Sequence, residues 1–144
     1  MVCSFFGHRD APATIREQMA EAAEQLIQDG ADLFLVGNQG AFDALALGIL
    51  RQLKKQYPNI RYYVVLAYLP QDRMEEFLED ETMFPEGLEC VPPRFAIARR
   101  NRWMIEKTDV VISYVVHDWG GAAKIVSAAE KKGKKIMRLC EKER

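Results

Sequence analysis

Cysteine and histidine are scarce in this chain, and so are the structures they build. The three cysteines, Cys3, Cys90 and Cys140, lie far apart with no C-x-x-C pair, so neither a disulfide framework nor a zinc site can be read from them. No zinc-ligand set is present, and neither a metal nor a cofactor is expected. An excess of charge of one sign is missing too: 20 Lys+Arg stand against 21 Asp+Glu, a formal net charge of -1. Electrostatic nucleic-acid binders show a basic excess or patch, so no strong nucleic-acid binding is expected, while one small anionic ligand remains compatible. No apolar run approaches the roughly 18 residues of a membrane span. The N-terminus enters an apolar strand without a basic leader or a small-residue cleavage site. No membrane partner is expected, and a reducing cytoplasm is the simplest setting. No Walker lysine follows a long glycine loop and there is no Gly-x-Ser-x-Gly elbow, which removes the NTPase and serine-hydrolase readings.

What is there is the material of one ordinary domain. The 144 residues suffice to bury a real core, and residues 1–144 are expected to form a single unit. Hydrophobic residues at 49% and charged residues at 28% exclude a disordered or low-complexity chain.

Strand and helix patterns alternate. Val2 to Phe6 is a short apolar run bounded by Gly7, as in a strand buried on both faces. A helix follows, with Pro12 near its start, capping-box spacing at Thr14 and Glu17, and an apolar stripe of Ile15, Met19, Ala22, Ala23, Leu26 and Ile27 that stops at Gly30. Leu33 to Val36 reads as a second strand. The helix from about Ala41 to Tyr57 buries Leu45, Leu47, Ile49, Leu50 and Leu53 before Pro58 ends it. Arg61 to Leu69, rich in β-branched and aromatic residues, is a third strand. The segment from Gln71 to Pro93 carries an acidic helix (Glu75, Glu76, Glu79, Asp80, Glu81) and a brief strand at Leu88 to Val91, and serves either as a rim element or as a solvated connector. A helix from about Phe95 to Lys107, a strand at Val110 to Val115, a helix from Gly121 to Lys132 and a strand at Lys135 to Leu139 complete the chain. Parallel strands need crossovers, and right-handed helical crossovers cover both faces. The expectation is a doubly wound α/β Rossmann-like fold with strand order 3-2-1-4-5.

Three glycine-bearing loops then end on one carboxyl edge: Gly7-His8-Arg9, Gly37-Asn38-Gln39-Gly40, and Gly120-Gly121 at a helix start. Ligands bind at that edge in open α/β sheets, and glycine lets backbone N–H groups approach an anion. Together with Asp43, Arg100-Asn101-Arg102-Trp103-Met104, Asp109 and Gly133, these motifs resemble the SLOG superfamily, Rossmann-like proteins that include the Lonely-guy phosphoribohydrolases and the DNA-processing protein DprA. Order and spacing are most similar to the YpsA-like branch. The resemblance implies a pocket for a nucleotide or nucleotide-derived ligand.

The departures bear on chemistry. In the Lonely-guy motif Pro-Gly-Gly-x-Gly-Thr-x-x-Glu a glutamate, with an arginine on the preceding helix, serves N-glycosidic cleavage. The arginine falls on Arg100, but the glutamate position holds Ile125 and the proline is absent, which weighs against inheriting that reaction. Binding is the first reading: a ligand-binding or sensing module in which Gly120, Gly121 and Arg100, with Arg9, hold a phosphate while Asn38, Gln39 and Asp43 face ribose or base. A nucleotide-processing hydrolase or transferase is the second, with Asp43 or Asp118 as its carboxylate. A third is an oligomeric scaffold, so a homo-oligomer is compatible with the chain.

Each of these residues also has a plain structural reading. Gly7, Gly37 and Gly40 can serve turns alone, and Asp43 can answer the positive end of a helix dipole. His8 lines the pocket or ties its loop, and Asn101 faces the ligand or is a buried amide joining loops. Consecutive helical arginines differ by about 100° in azimuth, so Arg99, Arg100 and Arg102 cannot share one target. A pocket arginine at position 100 is expected to add little to core stability. Trp103 and Met104 read as core. The loop His117-Asp118-Trp119 closes over a base or sugar, or is merely the turn before a helix. The lysines at 131, 132, 134 and 135 complement a helix C-terminus.

Overall fold

The computed structural model describes residues 1–69 and 77–141. Its six strands form one parallel sheet: β1 (Val2–Gly7), β2 (Leu33–Val36), β3 (Arg61–Val65), β4 (Thr82–Met83), β5 (Val110–Tyr114) and β6 (Lys135–Arg138), in the order β4-β3-β2-β1-β5-β6. The five expected strands take the expected order. The difference is β4, a short strand that extends the sheet beyond β3 by pairing Thr82 and Met83 with Val64 and Val65.

The helices are α1 (Arg16–Gln28), α2 (Ala41–Gln56), α3 (Pro93–Lys107) and α4 (Gly121–Lys131). Strand side chains alternate between two cores with period two. Cys3, Phe5, Phe34, Val36, Val64, Val110 and Ile112 pack with α1 and α2, while Phe6, Leu35, Val65 and Val111 pack with Met104 and Ile105 of α3 and Val126 and Ala129 of α4. On α2 the buried face is Phe42, Ala46, Ile49, Leu50 and Leu53, with Leu45 and Leu47 only partly covered. Met104 is core and Trp103 packs against it, as expected.

Several local expectations are corrected. The Thr14–Glu17 capping box does not form: Ala13–Ile15 is a 3-10 turn and α1 begins without a side-chain cap. The third strand stops at Val65, four residues short of Leu69, where the chain leaves the sheet edge. Leu88–Cys90 is a 3-10 turn, not a strand. Of the expected acidic helix, Glu75 and Glu76 lie outside the described residues, and 77–81 form a bend and turn.

Within that turn Glu81 is the opposite of a solvated acid. It is 3% exposed, and its carboxylate accepts hydrogen bonds from Arg51 Nη2 (2.6 Å), Arg51 Nε (2.9 Å), the Tyr62 hydroxyl (2.6 Å) and the Leu78 N–H (3.0 Å). Burial raises its pKa, but these donors outweigh burial and leave it below the usual glutamate range. The segment is thereby bound to α2 and β3. Among the described residues no helix is long and apolar enough to cross a membrane.

Candidate ligand cleft

The strand order reverses between β1 and β5. Strands β2, β3 and β4 lie to one side of β1, and β5 and β6 to the other. Crossovers leave the carboxyl ends of β1 and β5 in opposite directions, and the gap between them is where ligands bind in folds of this kind. A cleft of about 360 Å³ opens there, within the range of roughly 300–1,000 Å³ typical of ligand sites.

Its walls come from four loops and helices. The β1 loop contributes Gly7, His8, Arg9 and Asp10, and the β2 loop contributes Gly37 and Gln39 with Asp43 behind them. Ile97, Arg100 and Asn101 enter from α3, and His117, Trp119, Gly120 and Gly121 from the β5–α4 loop. The structure thus gathers Gly7, His8, Arg9, Gly37, Gln39, Asp43, Arg100, Asn101, Gly120 and Gly121 in one cleft. Asn38 is exposed and bonded to its neighbour Gln39, outside the lining. Asp118 is exposed and borders a separate groove with Ser127 and Arg138. Gly40 does not line the cleft either: its φ is +95°, and a Cβ there would lie 2.6 Å from Arg9 Cα. Its role is to let the first two loops touch, a contact closed by the Ala41 N–H donating to the Arg9 carbonyl (2.7 Å).

Arg100 is the centre of the polar wall. The α-helical spacing turns it inward while Arg99 and Arg102 stay exposed, so one arginine of the three reaches the cleft. It is 2% exposed, with Nη1 donating to the Val65 carbonyl (2.8 Å) and Nε to Asn101 Oδ1 (2.8 Å). Of the five N–H donors of its guanidinium these bonds use two. Asn101 lines the cleft and also orients this side chain. Burial lowers the Arg100 pKa and nearby Asp43 raises it.

Asp43 accepts the Gln39 N–H at Oδ2 (2.9 Å), closing the start of α2. Burial is the largest influence on it and outweighs the Gln39 N–H, Arg100 and Arg9, so its pKa is pushed up to about 6. Neither helix start at this edge has a side-chain cap, Gly40 preceding α2 and Gly120 preceding α4. At α2 the Ala41 N–H is taken by the Arg9 carbonyl, whereas a Cβ built on Gly121 meets nothing within 4 Å. Two helix N-termini reach this edge, and the first-turn N–H groups of an uncapped helix are of the kind that bind anions.

The opposite wall is aromatic. His8 is buried, its Nε2 accepts the Val116 N–H (3.0 Å), and its ring stacks on His117 at 3.8 Å between centroids. His117 stacks in turn on Trp119 at 3.7 Å. Burial, then His117, lower the His8 pKa against a raising influence of Asp10, favouring the neutral ring that accepting at Nε2 requires. Of the loop read either as closing over a base or sugar or as a plain turn, His117 and Trp119 line the cleft and Asp118 does not, while Phe5, Phe6, Ile97, Ala122 and Ile125 add apolar lining. Ile125 fills the glutamate position of the Lonely-guy motif with an apolar side chain.

No family model matches the chain, and no curated protein matches it. Solved structures do. DNA processing protein A (DprA) from Streptococcus pneumoniae superposes with a TM-score of 0.69 at 14% identity, over 94% of this chain and 49% of that one. DNA processing protein A from Helicobacter pylori superposes at 0.61 and 17% identity, over 96% of this chain and 64% of that one. The fold is the one these proteins contain. This chain spans half to two thirds of their length. The Rossmann-like relation to DprA expected from the motifs therefore stands at the level of the fold.

One expectation is overturned here. The Helicobacter pylori structure is described by its unique single-stranded DNA binding mode, so net charge was no ground for excluding strong nucleic-acid binding in a chain of this fold. Net charge averages the whole surface, whereas binding reads local charge. Arg94, Arg99, Arg102 and Lys107 are exposed along α3 against Glu106, and Arg9 and Arg100 line the cleft.

Proposed function

We propose that this chain binds an unpaired nucleotide at the carboxyl edge of its sheet, either free or as one position of a single strand, and acts as a ligand-binding or sensing module. The observation that carries the reading is the convergence on one cleft of a buried arginine, an uncapped helix start and a stack of aromatic rings. A phosphate suits the N–H groups of Gly121 and Ala122 and the Arg100 guanidinium, because charge-assisted bonds to planar donors are strong. Gln39 and Asp43 stand on the side left for the sugar. The fold shared with DNA processing protein A supports a single strand as one source of the nucleotide, and the motif order supports a YpsA-like relation.

A second reading has one specific observation in its favour. A carboxyl pushed up to about 6 is matched to general acid–base work near neutral pH, which makes Asp43, rather than Asp118, the carboxylate of an N-glycosidic hydrolase or transferase. Against it stands Ile125, which offers no proton. Calorimetric titration with a deoxynucleoside monophosphate and with a short deoxythymidine strand tests the binding reading. Saturable binding of either one, weakened in Arg100→Ala, supports it; the absence of both at millimolar ligand overturns it. Chromatography of the same mixtures for free base tests the second reading, and steady release abolished by Asp43→Asn would establish it.

A further inference from the structure

We infer that Trp119 is the platform on which the base of the bound nucleotide stacks, and that His8 and His117 are positioning residues that hold the indole in its plane. The inference rests on the nucleotide reading above and names the group that recognises the base. Three rings lie in one column, with centroid spacings of 3.8 Å and 3.7 Å and interplanar angles of 19° and 11°. The column is rooted in the sheet. The His8 N–H donates to the Tyr114 carbonyl (3.2 Å), its Nε2 accepts from Val116, and the Tyr114 ring meets it edge-on at 6.0 Å. His117 Nδ1 lies 2.8 Å from the Trp119 carbonyl, which fixes the turn that presents the indole.

At the outer end of this column Trp119 is 68% exposed and borders the cleft. The other tryptophan, Trp103, packs against the core. A large apolar ring held rigid and exposed at a cleft rim has its conformational entropy already restricted, so a base stacking on it loses little more. Trp119 also directly precedes Gly120 and Gly121. Base platform and anion site are thus two to three steps of chain apart, at about 3.8 Å per step, a spacing that suits the base and the phosphate of a single nucleotide. Stacking uses the π-face that every base has, so the platform tolerates all four bases and holds purines, with their larger face, more tightly.

The test uses dAMP, dTMP and ribose 5-phosphate. In a Trp103→Phe background Trp119 is the only indole, and dAMP is expected to quench its emission at lower concentration than dTMP, with no quenching by ribose 5-phosphate. By calorimetry on the otherwise unaltered chain, Trp119→Ala is expected to weaken dAMP roughly tenfold to a hundredfold while ribose 5-phosphate affinity is unchanged, and Trp119→Phe to recover part of the loss. If dAMP binds the unaltered chain and Trp119→Ala binds it equally well, the platform is refuted and the nucleotide reading survives. If neither dAMP nor dTMP binds the unaltered chain while a short deoxythymidine strand does, the comparison is made on the strand: a tenfold or greater loss in Trp119→Ala upholds the platform, and equal binding refutes it. If nothing binds, both readings fall.

Discussion

Asp43 and Arg100 meet in the space that a side chain at position 37 would occupy. A Cβ on Gly37 would lie 2.9 Å from Asp43 Oδ2 and 3.1 Å from Arg100 Cζ. Gly37, the first residue of the second glycine loop, is therefore a spacer between an acid and a base, and its backbone conformation does not demand glycine. Gly37→Ala should fold, because the atoms it crowds are the ends of side chains. It should displace Asp43 from the Gln39 N–H and shift the guanidinium within the cleft. The expected outcome is a small fall in melting temperature with at least a tenfold loss of nucleotide affinity, read by thermal unfolding and calorimetry; unchanged affinity would show that the ligand does not depend on this pair.

Asp43 makes a signed prediction in pH. Its folded pKa of about 6 lies above the ordinary value of 3.8, so the folded state favours the protonated carboxyl. Its contribution to stability is fully present below the unfolded pKa and is lost as pH rises through about 6. Asp43→Asn holds the position neutral and can still accept the Gln39 N–H. Denaturant melts across this window should show the native chain losing stability relative to Asp43→Asn as pH rises from about 4 to 7. Parallel pH curves for the two proteins would mean that burial does not raise the Asp43 pKa above its unfolded value.

The Glu81 cluster predicts the opposite sign. Its folded carboxyl is held below the usual range by Arg51, Tyr62 and Leu78, so its contribution is present above the unfolded glutamate pKa and lost as pH falls through the folded value. Glu81→Ala strands the Tyr62 hydroxyl and the Leu78 N–H and removes a buried ionic partner of Arg51. The expected cost is about 2–3 kcal/mol by urea denaturation. A solvated acid on a connector would cost under about 0.5 kcal/mol.

These residues mark where the sequence was legible and where it was not. The short apolar runs Val2–Phe6 and Leu33–Val36, and the apolar stripe of α1, are local signals, and they led to the parallel sheet and to the order of its five expected strands. Phe42 and Glu81 are decided by distant partners: Phe42 occupies the space beside Gly7, and Glu81 binds residues 19 and 30 positions away. No local pattern records such contacts. Glycine spacing found the cleft's loops but could not tell which side of a loop faces inward, so Asn38 and Asp118 stood among the expected site residues, while the loop carrying His117 and Trp119 stayed between a ligand-closing and a plain turn reading. Apolar lining such as Ile97 and Ile125 is indistinguishable from core by composition.

Arg100 separates the two kinds of information most sharply. From sequence, a pocket arginine should leave the unliganded protein's stability nearly untouched. The structure corrects this, because the side chain is 2% exposed and its Nη1 is bonded to the Val65 carbonyl at the end of β3. Removing it leaves that carbonyl and Asn101 Oδ1 without their donor and leaves Asp43 without its nearest opposing charge. A charge-assisted hydrogen bond is worth roughly 1.5–3 kcal/mol, so Arg100→Ala should lower stability by about that amount and ligand affinity by tenfold or more. Arg102→Ala is the matched control, since that side chain is exposed on the outer face of α3 and outside the cleft. It should change stability by under about 0.5 kcal/mol and leave nucleotide affinity within twofold. Raising the pH does not rescue Arg100→Ala, because the defect is a missing donor and not a protonation state. An Arg100→Ala protein that melts like the native chain yet binds no nucleotide would return Arg100 to a purely ligand-facing role and refute its bond to Val65 as a structural contact.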